Sequence, residues 1–339
     1  MDNTARTSAL TAGGHESIFV YDGDLQSLGQ IEHWKSLIWP ERYNVYSDTQ
    51  GAQLEVQDST SLQAMCRPDR YLWLVGSDRL MRIVSAQKSD YKLVIAAKDA
   101  ASILDDRVCT QTLSGFAVEE TLRQLVSDMA PWPHFELGEL AGLADTYAGE
   151  VKPCSLLKLA EQVCQELDIG FRARFDPDEK MLRFELYRPL LDPNALYAPQ
   201  YGNLSDLTYT ESLTDYKNVV TVLGADGMVT VGATENTGSA RRECLLDASS
   251  HKKESGQSQE DYLAYLRTLG NQDLAKHIRI ENFRFTPTDS VEVGKVVAAS
   301  LPGTDIRAAA RITSVTLTSQ RGENSVTTEI GTPIIRRKK

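Results

Sequence analysis

The sequence predicts a multidomain α+β protein in which two β-barrel-like regions flank an inserted helical and mixed α/β region. Residues 18–97 alternate with a period of two between short turns, which is typical of strands. Helical periodicity appears only after Asp99, and β-type alternation returns at about Tyr209. At 339 residues the chain also exceeds the roughly 250–300 residues at which a single core stops growing, so we expect more than one domain.

The first β-region is predicted over residues 1–98, with residues 1–16 as a flexible polar arm. Strands are indicated at 18–21, 43–46, 52–56, 71–76 and 80–87, and short turns separate them. Trp34, Leu37, Ile38 and Trp39 lie close together and are expected to line the core. Strands of this length with short connections favour a small barrel or a sandwich.

The first domain junction is predicted at Asp99. Residues 93–95 favour a strand, and Asp99 is a typical N-cap for the helical turn that follows. The inserted domain then covers 99–205, with amphipathic helices at 116–130 and 155–167. Strands at 171–175 and 181–187, joined by the turn 176–180, are typical of a β-hairpin. We expect this insertion to be removable as a unit over 99–200.

The second β-region is predicted over 206–335. A hairpin at 217–234 and a polar loop at 249–259 precede a helical insert at 260–277. Further strands are expected at 278–285, 291–301, 310–318 and 326–330. Residues 336–339, Arg-Arg-Lys-Lys, form a basic tail that we interpret as solvated.

Composition narrows the function classes. The net charge of −11 argues against binding of nucleic-acid backbones as a main activity, because such affinity comes from clustered Lys and Arg. No apolar run approaches the roughly 20 residues of a membrane span, and no signal peptide is recognised at the start. The five cysteines include no Cys-x-x-Cys pair, so neither a disulfide framework nor a zinc knuckle is expected. We expect the protein to be synthesised in a reducing cytoplasm.

No pattern predicts a catalytic, cofactor-binding or metal site. Phosphate-binding loops, nucleophile elbows and His-Glu-x-x-His helices are absent from the sequence. Asp105 and Asp106 are adjacent and cannot share a helix face, so they are not expected to form a general acid–base pair. A salt bridge or cap is expected at Asp106 beside Arg107. The turn 176–180 lacks the ligands of an EF-hand. No two histidines are three or four residues apart, and neighbours Arg241 and Arg242 would point to opposite faces of a strand. We therefore expect no enzyme and no cofactor.

Several segments together resemble the baseplate-hub family of siphophage tail proteins. They are Ile-Leu-Asp-Asp-Arg-Val at 103–108 after a strand, Tyr-Lys-Asn-Val-Val-Thr-Val-Leu-Gly at 216–224, Ala-Arg-Arg-Glu at 240–243 and Arg-Ile-Thr-Ser-Val at 311–315. The resemblance covers residues 15–333 and lies in the order of the segments. It implies a structural protein of the virion, located at the tail tip or baseplate and made in the host cytoplasm.

The resemblance also implies an assembly. In that family each chain carries two barrel-like tube domains, so a homotrimer presents six to a six-fold tail tube. The partners are then the tail tube or distal tail protein and other baseplate or tail-tip proteins, with DNA present only in transit. We expect the ring to involve strands 218–223, 310–318 and 326–330, and the channel surface to be negative or neutral.

Two alternatives remain open at this point. One is a cell-wall-degrading tail-associated enzyme, a peptidase or glycosidase. The other is a receptor- or carbohydrate-binding tail module, which Trp34, Trp39, Trp73 and Trp132 suggest, although aromatic residues within apolar runs more often belong to the core.

Overall fold

The computed structural model describes residues 17–47, 51–129, 132–189, 191–232, 237–277, 280–287, 292–320 and 322–337. The predicted arm at 1–16 and the last two residues of the basic tail lie outside these ranges. The chain forms two compact units, one of Met1–Asp206 with Phe285–Lys339 and one of Leu207–Arg284. These units divide the chain at other positions than the ranges 1–98, 99–205 and 206–335, which stay a prediction.

The helices are short and few among the described residues. They are α1 Thr60–Met65, α2 Val118–Met129, α3 Leu156–Glu166 and α4 Gln259–Leu274, with 3₁₀ helices at Ala100–Asp106, Pro199–Tyr201 and Gly238–Ala240. None of the described helices combines the length and the apolar character that crossing a membrane requires.

Strands make up most of the fold. In the first part of the chain they are β1 Ile18–Tyr21, β2 Ser27–Ile31, β3 Ser36–Arg42, β4 Ala52–Gln57, β5 Tyr71–Leu74, β6 Leu80–Ser89, β7 Lys92–Asp99, β8 Val108–Cys109, β9 Leu113–Ala117, β10 Phe135–Leu137, β11 Thr146–Val151 and β12 Cys154–Ser155. The later strands are β13 Gly170–Asp176, β14 Met181–Tyr187, β15 Leu191–Tyr197, β16 Leu204–Ser212, β17 Val219–Gly224, β18 Gly227–Gly232, β19 Glu243–Ala248, β20 Ile280–Pro287, β21 Val296–Ser300, β22 Ile306–Gln320, β23 Glu323–Ile330 and β24 Ile334–Arg337.

One large sheet organises the first unit. Its strand order is β15-β21-β22-β3-β4-β7-β6-β5-β1-β2, with β23 and β24 also paired to β22. The long strand β22 runs antiparallel to β3, from Ser314 opposite Arg42 to Gln320 opposite Ser36. The last strands of the chain therefore complete the sheet begun by the first. Among the described residues β15 and β2 do not pair with each other, so the predicted barrel-like form is not confirmed.

The predicted helical segment is confirmed in its elements. Helices α2 and α3 overlap 116–130 and 155–167, and Ser155 caps α3 by accepting a hydrogen bond from the backbone of Lys158. Strands β13 and β14 form the predicted hairpin, and β10 pairs with β14 in parallel. A pair that the sequence did not suggest, β9 with β11, lies beside them.

This segment shares a hydrophobic core with the large sheet. One cluster joins Leu122, Leu156 and Phe171 of the segment to Tyr21 and Leu80 of the sheet strands. The cluster argues against the expectation that residues 99–200 can be excised to leave a soluble remainder, because excision would expose the buried side chains of the sheet.

The second unit contains a three-stranded sheet covered on one face by α4, and the two-stranded sheet of β16 and β20 extends into it. Strand β17 pairs antiparallel with β18, as the predicted hairpin requires, and parallel with β19. Ser258 caps α4 through the backbone of Asp261. Val220, Val222 and Val231 of the sheet pack against Tyr262 and Leu266 of the helix, which are at most 1% exposed.

Two details of the first β-region differ from prediction and one agrees with it. Ile38 is exposed and Trp34 half-buried, whereas Leu37 and Trp39 are buried, because alternate residues of a strand face opposite sides. Residues 43–46 form no strand, since Asn44 adopts a left-handed backbone with φ of 53°. Asp99 is a cap as predicted, and its carboxylate accepts a hydrogen bond from the backbone of Ala101.

Candidate functional site: the polar face of the main sheet and the charges buried behind it

One face of the large sheet carries small polar side chains across six neighbouring strands. In antiparallel pairs, directly opposite residues lie on the same face, so the register assigns them in rows. The first row is Gln87, Val94, Glu55, Ser36, Gln320 and Glu323, on β6, β7, β4, β3, β22 and β23 in that order. The second row is Ser85, Ala96, Gln53, Ile38, Thr318 and Ser325, on the same six strands. We call these two rows the polar face.

These two rows contain no Lys or Arg, whereas Lys92 and Lys98 lie on the same side of β7 just beyond them. The charged members of the two rows are Glu55 and Glu323, and Glu55 forms an ion pair with Lys92, whose Nζ lies 2.9 Å from Oε1. The alternate residues of the same strands, among them Leu37, Leu54 and Ile95, are buried on the opposite side. The sequence alternation that predicted strands thus also separates an exposed polar face from an apolar one.

Charged residues are buried on the apolar side. Glu41 and Arg79 are 4% and 3% exposed, and the Ser77 hydroxyl donates to Glu41 Oε1 at 2.7 Å. Arg79 Nη1 lies 3.6 Å from Asp99 Oδ2, and its Nε lies 3.4 Å from Asp78 Oδ1. One cation thus faces three carboxylates, so Arg79 offsets only part of their negative charge within the core.

Burial changes the ionisation of this group. Desolvation, reinforced by the negative charge of Asp78, raises the pKa of Glu41 to about 8, despite the opposing effect of Arg79. Desolvation also raises the pKa of Asp99, although Arg79 partly offsets it. Glu41 therefore carries a proton over much of the neutral range. The proton removes its negative charge, so Glu41 does not repel the nearby carboxylates of Asp78 and Asp99.

Polar contacts attach the helical segment to the sheet strands beside this group. The buried Asn44 amide donates to the carbonyl of Ile169 at 2.6 Å and accepts from the backbone N–H of Phe171 at 2.9 Å. The Tyr46 hydroxyl donates to the Phe171 carbonyl at 2.7 Å. Glu161 of α3 accepts hydrogen bonds from the backbone of Tyr46 at 2.7 Å. These contacts fix α3 and β13 against the sheet.

An ion pair joins the same segment to the long strand β22. Arg311 Nη2 lies 2.5 Å from Asp168 Oδ1, and the guanidinium stacks on the ring of Tyr43 at 4.8 Å. Asp168 has a left-handed backbone with φ of 57° at the turn before β13. The long strand β22 of the main sheet therefore also holds the helical segment.

The acidic residues considered from the sequence take structural positions. Asp106 pairs with Arg82 at 2.7 Å, and not with Arg107, whose guanidinium donates to the Asp106 carbonyl. In the turn 176–180, the Asp176 carboxylate accepts from the backbone N–H groups of Asp178 and Glu179, as expected of a hydrogen-bonded turn.

The remaining candidates lie in the second unit or in the helical segment. Arg241 forms an ion pair with Glu243. Cys164 is buried in α3 as expected, whereas Cys154 lies half-buried in β12 and not in the helix.

One group of potential ligands was missed. Cys244, Asp273 and His277 bring a thiol, a carboxylate and an imidazole together within 4.8 Å. The sequence did contain a signal, because Asp273 and His277 are four residues apart, the spacing of neighbours on a helix face. A search for pairs of histidines does not find it.

Comparison with solved structures identifies the fold. Prophage tail protein gp18 from Listeria monocytogenes superposes with a TM-score of 0.52 at 10% identity, over 92% of this chain and 94% of that one. The 43 kDa tail protein of prophage MuSo2 from Shewanella oneidensis gives a TM-score of 0.50 at 10% identity, over 94% and 98%. At this identity the likeness is one of fold. No curated protein sequence matches the chain.

The family follows from the sequence of nearly the whole chain. Residues 17–332 match the family described as Siphovirus ReqiPepy6 Gp37-like protein, close to the 15–333 over which the order of segments resembles siphophage tail proteins. The predicted tail-protein family and the predicted location in the tail of the virion are thereby confirmed. The chain belongs to the Gp37-like family of siphovirus tail proteins.

Proposed function

We propose that the protein is the hub at the tip of a phage tail, where three copies form a ring and adapt it to the six-fold tail tube. In this assembly the polar face lines the channel through which DNA passes. Family membership supports a structural role in the tail. The prediction that the chain is not an enzyme is part of this proposal.

The observation that carries the proposal is the absence of Lys and Arg from the two rows of the polar face, beside which Lys92 is paired with Glu55. DNA is retained by surfaces that neutralise phosphates and release counterions, and each basic contact adds to that affinity. Hydroxyl and amide side chains with a few carboxylates offer no such contact. A channel lined in this way lets DNA slide, in agreement with the negative or neutral surface expected from the net charge.

The strand pairing decides which of the predicted ring strands could contribute backbone contacts. Strand β17 already pairs on both sides, with β18 and β19, and β22 pairs with β3 and β23. Side chains at these strands can still meet a neighbouring copy, but their backbones are in use. Among the described residues, β2, β15, β23 and β24 each pair with one strand only, and such edge strands are the ones that pair with another chain. We propose β2, β15 and β23, which contains the predicted 326–330, as the ring contacts.

Multi-angle light scattering over a concentration series tests the copy number, with and without the tail-tube partner. The proposal predicts a mass of about three times 37.6 kDa when the partner is present. A chain that remains monomeric in both conditions contradicts it.

Lysine substitutions test the channel face. One double variant carries Gln53→Lys and Ser325→Lys, both on the polar face. The control double variant carries Gln124→Lys and Ser127→Lys at two exposed positions on α2, and it adds the same charge. In virions that carry the first pair, we expect slower release of DNA, because six added cations converge in the channel of a trimer. Equal release rates for the two pairs contradict the assignment of this face.

No observation favours a second function. The carbohydrate-binding alternative rested on four tryptophans, and none is exposed. Trp39 is buried, and the indoles of Trp34 and Trp73 donate to Ser319 Oγ at 3.0 Å and to the Ser77 carbonyl at 2.8 Å. Their structural roles account for these residues.

A further inference from the structure

Three ligand-type side chains of the second unit converge at the end of α4. Asp273 lies in the last turn of the helix, His277 follows it by four residues, and Cys244 lies on β19. A carboxylate oxygen, an imidazole nitrogen and the thiol sulfur all lie within 4.8 Å of one another. The side chains of His277 and Asp273 are 28% and 15% exposed, so the group borders solvent.

The histidine is oriented for coordination by a second contact. His277 Nδ1 lies 3.1 Å from the Asp215 carbonyl, an acceptor, and therefore carries the proton and donates it. Donation from one ring nitrogen to a carbonyl is the usual support of a metal-bound histidine, because it turns the lone pair of the other nitrogen toward the metal. Here that other nitrogen, Nε2, faces Asp273.

The distance between the two acceptors fits a shared cation. His277 Nε2 and Asp273 Oδ2 are 3.4 Å apart. Two ligands at about 2.0–2.1 Å from a zinc ion, separated by a tetrahedral angle, are about 3.3–3.4 Å apart. An unprotonated nitrogen and a carboxylate at this distance repel each other unless a cation, either a proton or a metal, lies between them.

We propose that Cys244, Asp273 and His277 bind a zinc ion. Thiolate, imidazole and carboxylate together form a ligand set that suits zinc, and three protein ligands leave one position for water. The other carboxylate oxygen, Asp273 Oδ1, lies 3.4 Å from Lys276 Nζ, which leaves Oδ2 directed at the site. On binding, the Cys244 thiol gives up its proton to solvent and its weak contact of 3.9 Å to the Val219 carbonyl.

The ion would join the end of α4 to β19. In the second unit that helix covers one face of a three-stranded sheet, and a ligand from each element links the two independently of their hydrophobic contacts. Zinc is therefore expected to raise the melting temperature of the protein, because it binds the folded state only.

Cobalt(II) titration of the full chain, freed of metal with EDTA, tests the site. We expect one Co²⁺ per chain, thiolate-to-cobalt charge-transfer absorption in the near ultraviolet, and displacement by Zn²⁺. Cys244→Ala and His277→Gln are each expected to weaken binding by more than the roughly 10–100-fold that loss of an outer-shell partner costs. Cys154→Ala and His251→Gln, a half-buried thiol and an exposed imidazole outside the group, should bind cobalt as the wild type does.

Two outcomes overturn the proposal. If the wild type shows no saturable cobalt binding and zinc leaves its melting temperature unchanged, the group is an ion pair only, with a proton between Asp273 and His277. If binding persists in Cys244→Ala and His277→Gln, the metal is held elsewhere. Asp273→Asn, which keeps the shape of the side chain, provides a variant that is expected to fold and still lose the metal.

Discussion

Replacement of Asn44 by Gly tests how the helical segment is held on the main sheet. Asn44 is fully buried, and its amide bonds the Ile169 carbonyl and the Phe171 N–H at the start of β13. Its backbone φ of 53° favours glycine, so this substitution removes the side chain without straining the main chain. The loss of stability then reports the two hydrogen bonds.

The magnitude follows from the two groups left without partners. Each buried polar group that loses its partner costs about 1–3 kcal/mol, which gives about 2–6 kcal/mol for the pair. Glycine adds roughly 0.5–1 kcal/mol by increasing the entropy of the unfolded chain. We expect Asn44→Gly to lower the free energy of unfolding by about 2.5–7 kcal/mol.

Urea denaturation followed by circular dichroism measures this change. Asp90→Gly is the matched control, because Asp90 also has a left-handed backbone, with φ of 48°, but lies exposed in the turn between β6 and β7. It carries the same glycine entropy and no buried hydrogen bond, so it should lower stability by at most about 1 kcal/mol. If Asn44→Gly is as mild as this control, the segment is not fixed to the sheet through Asn44.

Two further predictions concern the buried carboxylate and the second unit. The pKa of Glu41 is raised from 4.5 to about 8, so the folded state binds a proton that the unfolded state has lost, and stability falls as pH rises between these values. In Glu41→Gln, urea unfolding should show a smaller loss over this range, and an unchanged pH dependence contradicts the assignment. Leu266 of α4 is 0% exposed against the sheet of the second unit. Leu266→Ala should lower the free energy of unfolding by about 2–5 kcal/mol. Met228→Ala, at a position 62% exposed, should cost under about 0.5 kcal/mol, and equal losses in thermal unfolding contradict the packing described.

Local signals in the sequence were sufficient for the individual elements. Helices α3 and α4 follow the apolar periodicity, and each begins after a serine cap, Ser155 and Ser258. The turn at 176–180 has the composition of a hairpin connection, and β13 and β14 pair as expected. These features depend on residues close in sequence, which is why they are predictable.

The arrangement of strands could not be predicted in the same way. Strand β22 pairs with β3, which lies more than 270 residues earlier, and β17 has a parallel partner in β19. Alternating polar and apolar residues show that a strand is half-buried, but they do not identify its neighbours. For that reason the polar face became visible only with the register.

Electron cryomicroscopy of purified tails tests the central claim most directly, because it shows both the number of copies and the face that each turns to the channel. The hub account predicts three copies around the tail axis, with Gln53, Thr318 and Ser325 of each lining the channel. A different copy number, or a map in which the polar face lies outside the channel, contradicts it.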